Sequence, residues 1–152
     1  MSARPAQPQD RAALEQMLTP YLSELSGSAA QDYAHFDLYW QAPDRQPWVI
    51  GASEPQGFAL IRQLETSGSD GVPVRQVAEF YIRPEARRAG LGQAAAAHIF
   101  AQNPGLWQIG ILAGNAAARL FWPRAVAAAG GEMLQETHGD EGVARLHFQM
   151  KP

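Results

Sequence analysis

Residues 79–94 read Glu-Phe-Tyr-Ile-Arg-Pro-Glu-Ala-Arg-Arg-Ala-Gly-Leu-Gly-Gln-Ala, and they hold most of the chemistry this chain offers. An apolar strand candidate ends at Ile82, a loop with Arg87 and Arg88 follows, and Gly90 and Gly92 open a helix. Glycine adopts backbone conformations closed to other residues and lets a ligand approach the main chain. The first amides of a helix have no intrahelical acceptor. Together with the helix dipole they favour an anion by about 0.3–2 kcal/mol per charge. Two guanidinium groups add charge and bidentate donors. A diphosphate is the guest these features suit. Glu79, on the strand just upstream, is a candidate general base, because a carboxylate partly desolvated beside a cleft has a raised pKa.

The dinucleotide fingerprint matches only loosely. Gly90, Gly92 and Ala95 have its spacing, but seven residues separate Ile82 from Gly90, and no acidic residue follows before Glu132. That fingerprint places its glycines directly after the strand and an acidic residue about 20 positions on. A nucleotide-binding oxidoreductase is therefore disfavoured. No phosphate-loop motif with a lysine is present.

The elements that must position this stretch follow from periodicity and breakers. Residues 2–6 suit a short edge strand, and 9–25 a helix capped by Asp10 and ended by Ser26-Gly27-Ser28. Residues 30–41, rich in aromatics, suit a second short helix. Strands are expected at 48–50, 58–64, 72–82 and 106–112, helices at 91–102 and 115–129, and two further strands within 132–149. Polar loops are expected at 66–71 and 138–142. The order gives an α/β domain with a mixed sheet and helices on both faces, in which a strand–helix–strand unit from Val77 to Leu112 joins parallel neighbours. The whole of 1–152 is expected to form one domain.

Arg87-Arg88-Ala89-Gly90-Leu91-Gly92 resembles the [RQ]-x-x-G-x-[GA] signature of the GNAT superfamily of N-acetyltransferases. Asn115-x-x-Ala118-x-x-Phe121-Trp122 is similar to the family's N-x-x-A-x-x-F-Y element, and Phe100-x-x-x-Pro104-Gly105-x-Trp107 is similar to a bacterial subgroup. The resemblance covers most of the chain. It implies a mostly antiparallel sheet of six or seven strands with a splayed parallel central pair, and acetyl-CoA as cofactor. It implies that the main chain of Phe80, Tyr81 and Ile82 pairs with pantetheine, that Arg87, Arg88, Ala89, Gly90, Leu91, Gly92 and Gln93 hold the diphosphate, and that Asn115, Ala118, Phe121 and Trp122 line the thioester end. An acceptor amine, on a small molecule or a peptide, would then attack the thioester directly.

Trp122 departs from the family pattern, since it stands where a tyrosine often protonates the leaving thiolate. Indole is no such acid. Tyr81 is the substitute candidate, and the departure keeps open a degenerate member that binds acyl-CoA without catalysis. His35, Asp37, Tyr39 and Trp40, in a cluster with Tyr33 and Phe36, are candidates for acceptor binding.

Composition bounds the rest. The chain has 152 residues, 46% hydrophobic and 18% charged, enough for one buried core. It has no cysteine, which removes disulfides, thiolate metal sites and a thiol nucleophile, and suits a cytoplasmic location. No two of the four histidines have metal-ligand spacing, so no metal is expected. The net charge of −3 weighs against nucleic-acid binding. However, the window from Ala86 to Gly131 contains arginines and no acidic residue, as an anion-binding segment would. No apolar run reaches the roughly 18 residues of a membrane span, and residues 1–10 lack the apolar stretch of a secretory leader. An exposed final hairpin would permit a homodimer.

Overall fold

The apolar positions of the central strands fall into two alternating sets, and each set has its own helical cover. In the computed structural model, which describes residues 2–26, 33–64, 73–139 and 142–152, seven strands form one sheet. They are β1 (Ala3–Pro5), β2 (Arg45–Ile50), β3 (Gly57–Leu64), β4 (Val74–Ile82), β5 (Gly105–Ile111), β6 (Glu132–His138) and β7 (Ala144–Met150), in the order β1-β2-β3-β4-β5-β7-β6. The helices are α1 (Arg11–Ser26), α2 (Leu91–Gln102) and α3 (Ala116–Ala128). Trp48, Ile50, Ile61, Val77, Ile109 and Phe148 face α2 and α3. Val49, Phe58, Leu60 and Tyr81 face α1 and the 3-10 turn Phe36–Trp40.

Helix α2 has the bounds expected from its breakers. Its alanines Ala95 and Ala96 are fully buried, and their small side chains let the helix lie close to the sheet. The chain stops at Asn103, whose amide donates to Ile99 O at 2.8 Å, while Trp107 Nε1 donates back to Asn103 O at 2.9 Å. Trp107, Phe100 and Phe148 then form an aromatic cluster with centroids 4.9–6.1 Å apart.

The start of α1 differs from expectation. Residues Pro8–Asp10 form a 3-10 turn and the α-helix begins at Arg11. Asp10 does not cap it. Its carboxylate accepts from Gln7 N at 2.7 Å and pairs with Arg4 at 2.7 Å, which holds its pKa below the usual range. The expected 30–41 helix is a 3-10 turn over Phe36–Trp40. Its first residues, the stop at Gly27-Ser28, the loop at 66–71 and the Asp140-Glu141 turn lie outside the described residues.

What positions the site is the one parallel pairing. β4 and β5 pair from Val74↔Leu106 to Val77↔Ile109 and no further, although β4 runs on to Ile82 and β5 to Ile111. On the other side of β4, Leu60 pairs with Glu79 and Ile61 with Val77, so Ala78 is a bulge residue without a partner. A bulge bends its strand and raises its twist. Here it coincides with the place where β4 parts from β5. It also resets the alternation, so Val77 and Ile82 face α2 and α3 while Ala78 and Tyr81 face α1.

Candidate active site

The first half of the site is the turn from β4 into α2. After a 3-10 turn at Pro84–Ala86, Arg87 is extended, Arg88 has φ 66° and Gly90 has φ 82°. Arg88 is the one non-glycine residue with positive φ among the described residues. A left-handed conformation costs a residue with a side chain about 1–2 kcal/mol, and such strain persists where surrounding structure enforces it, often at ligand sites. The first main-chain bond of the helix runs from Ala94 N to Gly90 O at 3.0 Å. Among the described residues, the N–H groups of residues 88–93 have no main-chain acceptor. A Cβ on Gly90 would meet nothing within 4 Å, so the space above it is open, whereas one on Gly92 would come within 3.3 Å of the Phe121 ring.

Of the two guanidiniums expected on a diphosphate, Arg88 has no ion pair among the described residues and Arg87 has one. Arg87 Nε donates to Ile82 O at 2.7 Å, and its terminal nitrogen lies 2.9 and 3.0 Å from the two carboxylate oxygens of Glu24. The same guanidinium stands 5.6 Å above the Tyr81 ring. Arg87 thus ties the turn to β4 and α1.

The second wall is α3. Asn115 is its N-cap, with Oδ1 accepting from Ala118 N at 3.0 Å. Its side chain therefore serves the helix. Asn115→Ala is expected to cost about 1 kcal/mol, read as a lower denaturant midpoint with an unchanged slope. Ala118 and Phe121 are partly buried and Trp122 is buried. Phe80 packs against Phe121 and Trp122 with centroids 5.6 and 5.0 Å away.

Tyr81 points the other way. Its buried ring packs among Tyr21 and Phe58, both at 5.7 Å, on the α1 side of β4. Burial raises its pKa, so it is neutral near pH 7. Tyr81 and Trp122 lie on opposite sides of the sheet, so the phenol does not point to where Trp122 stands.

Glu79 is the best-held polar group of the site. Tyr21 donates to its Oε1 at 2.6 Å and Tyr33 to its Oε2 at 3.2 Å. Burial raises the Glu79 pKa above the ordinary carboxylate value, and the two phenols oppose that shift without cancelling it. Burial and then the nearby carboxylate push both phenols well above their usual pKa, so they remain donors. Glu79 opens onto a cleft of about 220 Å³, whose wall includes Ala78 of β4 and Gly110 of β5 where those strands separate.

Two of the four expected acceptor-side residues, His35 and Tyr39, line this cleft. Asp37 and Trp40 do not. Asp37 is exposed and paired with Arg11, and Trp40 packs on Phe36 at 5.8 Å beneath the same arginine. Arg45, Arg62 and Gln76 line the cleft and were not singled out by motif, nor was Tyr21. The alternation of β2 and β3 carries a signal for the arginines, because it puts polar side chains at the open end of otherwise apolar strands. Among the described residues no three His, Cys, Asp or Glu side chains are grouped as a metal site would require. No helix there is long and apolar enough to cross a membrane.

A mixed sheet whose central parallel pair parts beside the start of a helix defines the acyl-CoA N-acyltransferase fold. The model of the family described as "Acetyltransferase (GNAT) family" matches residues 11–126, and the chain belongs to that family. A comparison with curated proteins found no match. Solved structures share the fold. An aminoglycoside acetyltransferase, AAC(6')-Ib, in complex with coenzyme A is 19% identical, with a TM-score of 0.68 over 98% of this chain and 94% of that one. An acetyltransferase from Thermus thermophilus is 18% identical, with a TM-score of 0.66 over 97% and 96%. Arabidopsis thaliana NAA60 in complex with acetyl-CoA is 13% identical, with a TM-score of 0.64 over 99% and 98%.

Proposed function

We propose that this chain transfers an acetyl group from acetyl-CoA to a primary amine by direct attack. The observation that carries the reading is the continuity of the two half-sites. Amides without a main-chain acceptor mark the start of α2, and the parting of β4 from β5 leads from there to a cleft holding a partly buried carboxylate.

In this reading the N–H groups of residues 88–93 bind the diphosphate, with Arg88 as the added cation. The main chain of Phe80, Tyr81 and Ile82 pairs with the pantetheine amides. Ala118, Phe121 and Trp122 flank the thioester end, with Asn115 fixing the helix that carries them. Glu79 takes a proton from the acceptor ammonium. The freed amine attacks the thioester carbonyl, the C–S bond breaks, and the nitrogen gives up its second proton to water as the amide forms, while the thiolate leaves as an anion and takes up a proton from that same solvent. Trp122 offers no acid, and Tyr81 is packed on the other face. The phenols of Tyr21 and Tyr33 hold the carboxylate in place and stabilise its charged form. A cysteine-free chain of this kind suits the cytoplasm, and the exposed edge strand β6 offers a surface for a second copy.

Trp122 favours one other reading, a protein that binds acyl-CoA without turnover. A thiol-release assay with acetyl-CoA across a panel of amines separates the two. Amine-dependent release supports transfer. Tight coenzyme A binding with no release above the amine-free rate supports the binding protein.

A further inference from the structure

Arg45 and Arg62 are direct cross-strand partners in the β2–β3 hairpin. Like charges placed opposite one another destabilise a strand pair, so this arrangement calls for compensation. Among the described residues no carboxylate supplies it. The ion pairs among the described residues use Arg4, Arg11, Arg87, Arg119 and His138, and neither cleft arginine has a carboxylate partner. Arg45 lies 5.3 Å above the Tyr39 ring, which occupies its face but supplies no negative charge. Arg62 Nε is buried and has no acceptor among the described residues. Buried donors are nearly always satisfied, and an orphan points to a missing partner.

Both arginines line the cleft into which Glu79 opens, and Glu79 is the one acidic residue among the described residues of its wall. Its carboxylate already receives two phenols. The register fixes the spacing. Leu60 stands opposite Glu79, and Arg62 lies two residues further along β3 on the same face, about 7 Å away along the strand. A guanidinium on a flexible stem covers that distance. The cleft therefore presents a proton acceptor at one end and, at the other, two cations with no carboxylate partner among the described residues.

We propose that the acceptor carries a carboxylate a short carbon chain away from its amine, and that Arg45 and Arg62 bind that carboxylate while the amine meets Glu79. Guanidiniums suit this task because their donors match a carboxylate bidentately. The carboxylate could belong to a free amino acid or to an acidic residue beginning a peptide, and the two sources are separable by assay. The inference rests on the reading of Glu79 and acetyl-CoA given above.

The test is a set of matched acceptors with the full chain and acetyl-CoA: glycine against glycinamide, β-alanine against β-alaninamide, and peptides beginning with Asp or Glu against those beginning with Asn or Gln. The carboxylate member is expected to have a kcat/KM at least tenfold above its amide. Arg62→Gln should bring the carboxylate member down to its amide, with coenzyme A affinity as the internal control. Arg45→Gln repeats the test if Arg62→Gln does not fold. Transfer only to amines lacking a carboxylate overturns this inference and leaves the acetyltransferase reading standing. Failure to bind coenzyme A overturns that reading, and transfer to no amine with coenzyme A bound overturns both.

Discussion

Glu79→Gln is expected to lower kcat by about 10²–10⁴, the usual worth of a positioned general base, while coenzyme A affinity stays unchanged. The amide is nearly isosteric with the carboxylate but takes up no proton from an ammonium. The effect is expected to be large because Glu79 is the one carboxylate among the described residues of the cleft wall. His35 shares the cleft, yet Tyr21 and Tyr33 both direct their hydroxyls at Glu79. The pH dependence has a definite sign. Burial raises the Glu79 pKa, so wild-type kcat/KM should rise with pH through a value above the ordinary carboxylate range. That acid limb should be missing from the variant. Stability follows the same shift in the opposite sense. A carboxyl whose folded pKa is raised stabilises the fold below its unfolded pKa, and this contribution is lost as pH rises through the folded pKa. Relative to wild type, Glu79→Gln should therefore gain stability as pH rises through that window. Equal rates for the two proteins would remove Glu79 from the chemistry.

Gly90→Val is expected to weaken coenzyme A binding at least tenfold, about 1.4 kcal/mol. Two causes act together. Gly90 has φ 82°, a region where a β-branched residue is a strong outlier. The space its side chain would enter is open, with no protein atom within 4 Å of a Cβ. The protein's own packing therefore does not exclude a side chain there, and a ligand drawn to the amides would. Backbone strain should also lower Tm, by about 2–4 °C per kcal/mol for a domain of this size. Isothermal calorimetry on the folded variant separates the two effects. Unchanged affinity would place the diphosphate elsewhere.

The parts of the fold that were legible in the sequence are those whose ends carry a local chemical signal. Gly90 and Asn103 bracket α2, and Asn115 marks the start of α3. Where a distant residue claims the signal, it misleads. Asp10 is an ordinary cap by type, but Arg4 on the neighbouring strand takes its carboxylate. The site divides in the same way. The glycine turn and Glu79 stand within one motif, and their spacing is local. The partners of Glu79 are 58 and 46 residues away in sequence, and the partner of Arg87 is 63 residues away. Packing against the sheet, of α1 for Tyr21 and Glu24 and of the segment ahead of the Phe36–Trp40 turn for Tyr33, brings them together. Arg87 shows the consequence most clearly, because a motif identifies it as a cation but not that Glu24 already holds it. The arginine pair of the cleft depends on hairpin register, a longer-range property than any single motif.

The most direct test of the whole account compares coenzyme A with pantetheine by calorimetry on the wild-type chain, with NAD as a control dinucleotide. If the free amides before and within the first turn of α2 hold the diphosphate, coenzyme A should bind at least a hundredfold more tightly than pantetheine, and NAD should not compete. Equal affinity for coenzyme A and pantetheine, or displacement of coenzyme A by NAD, would contradict it.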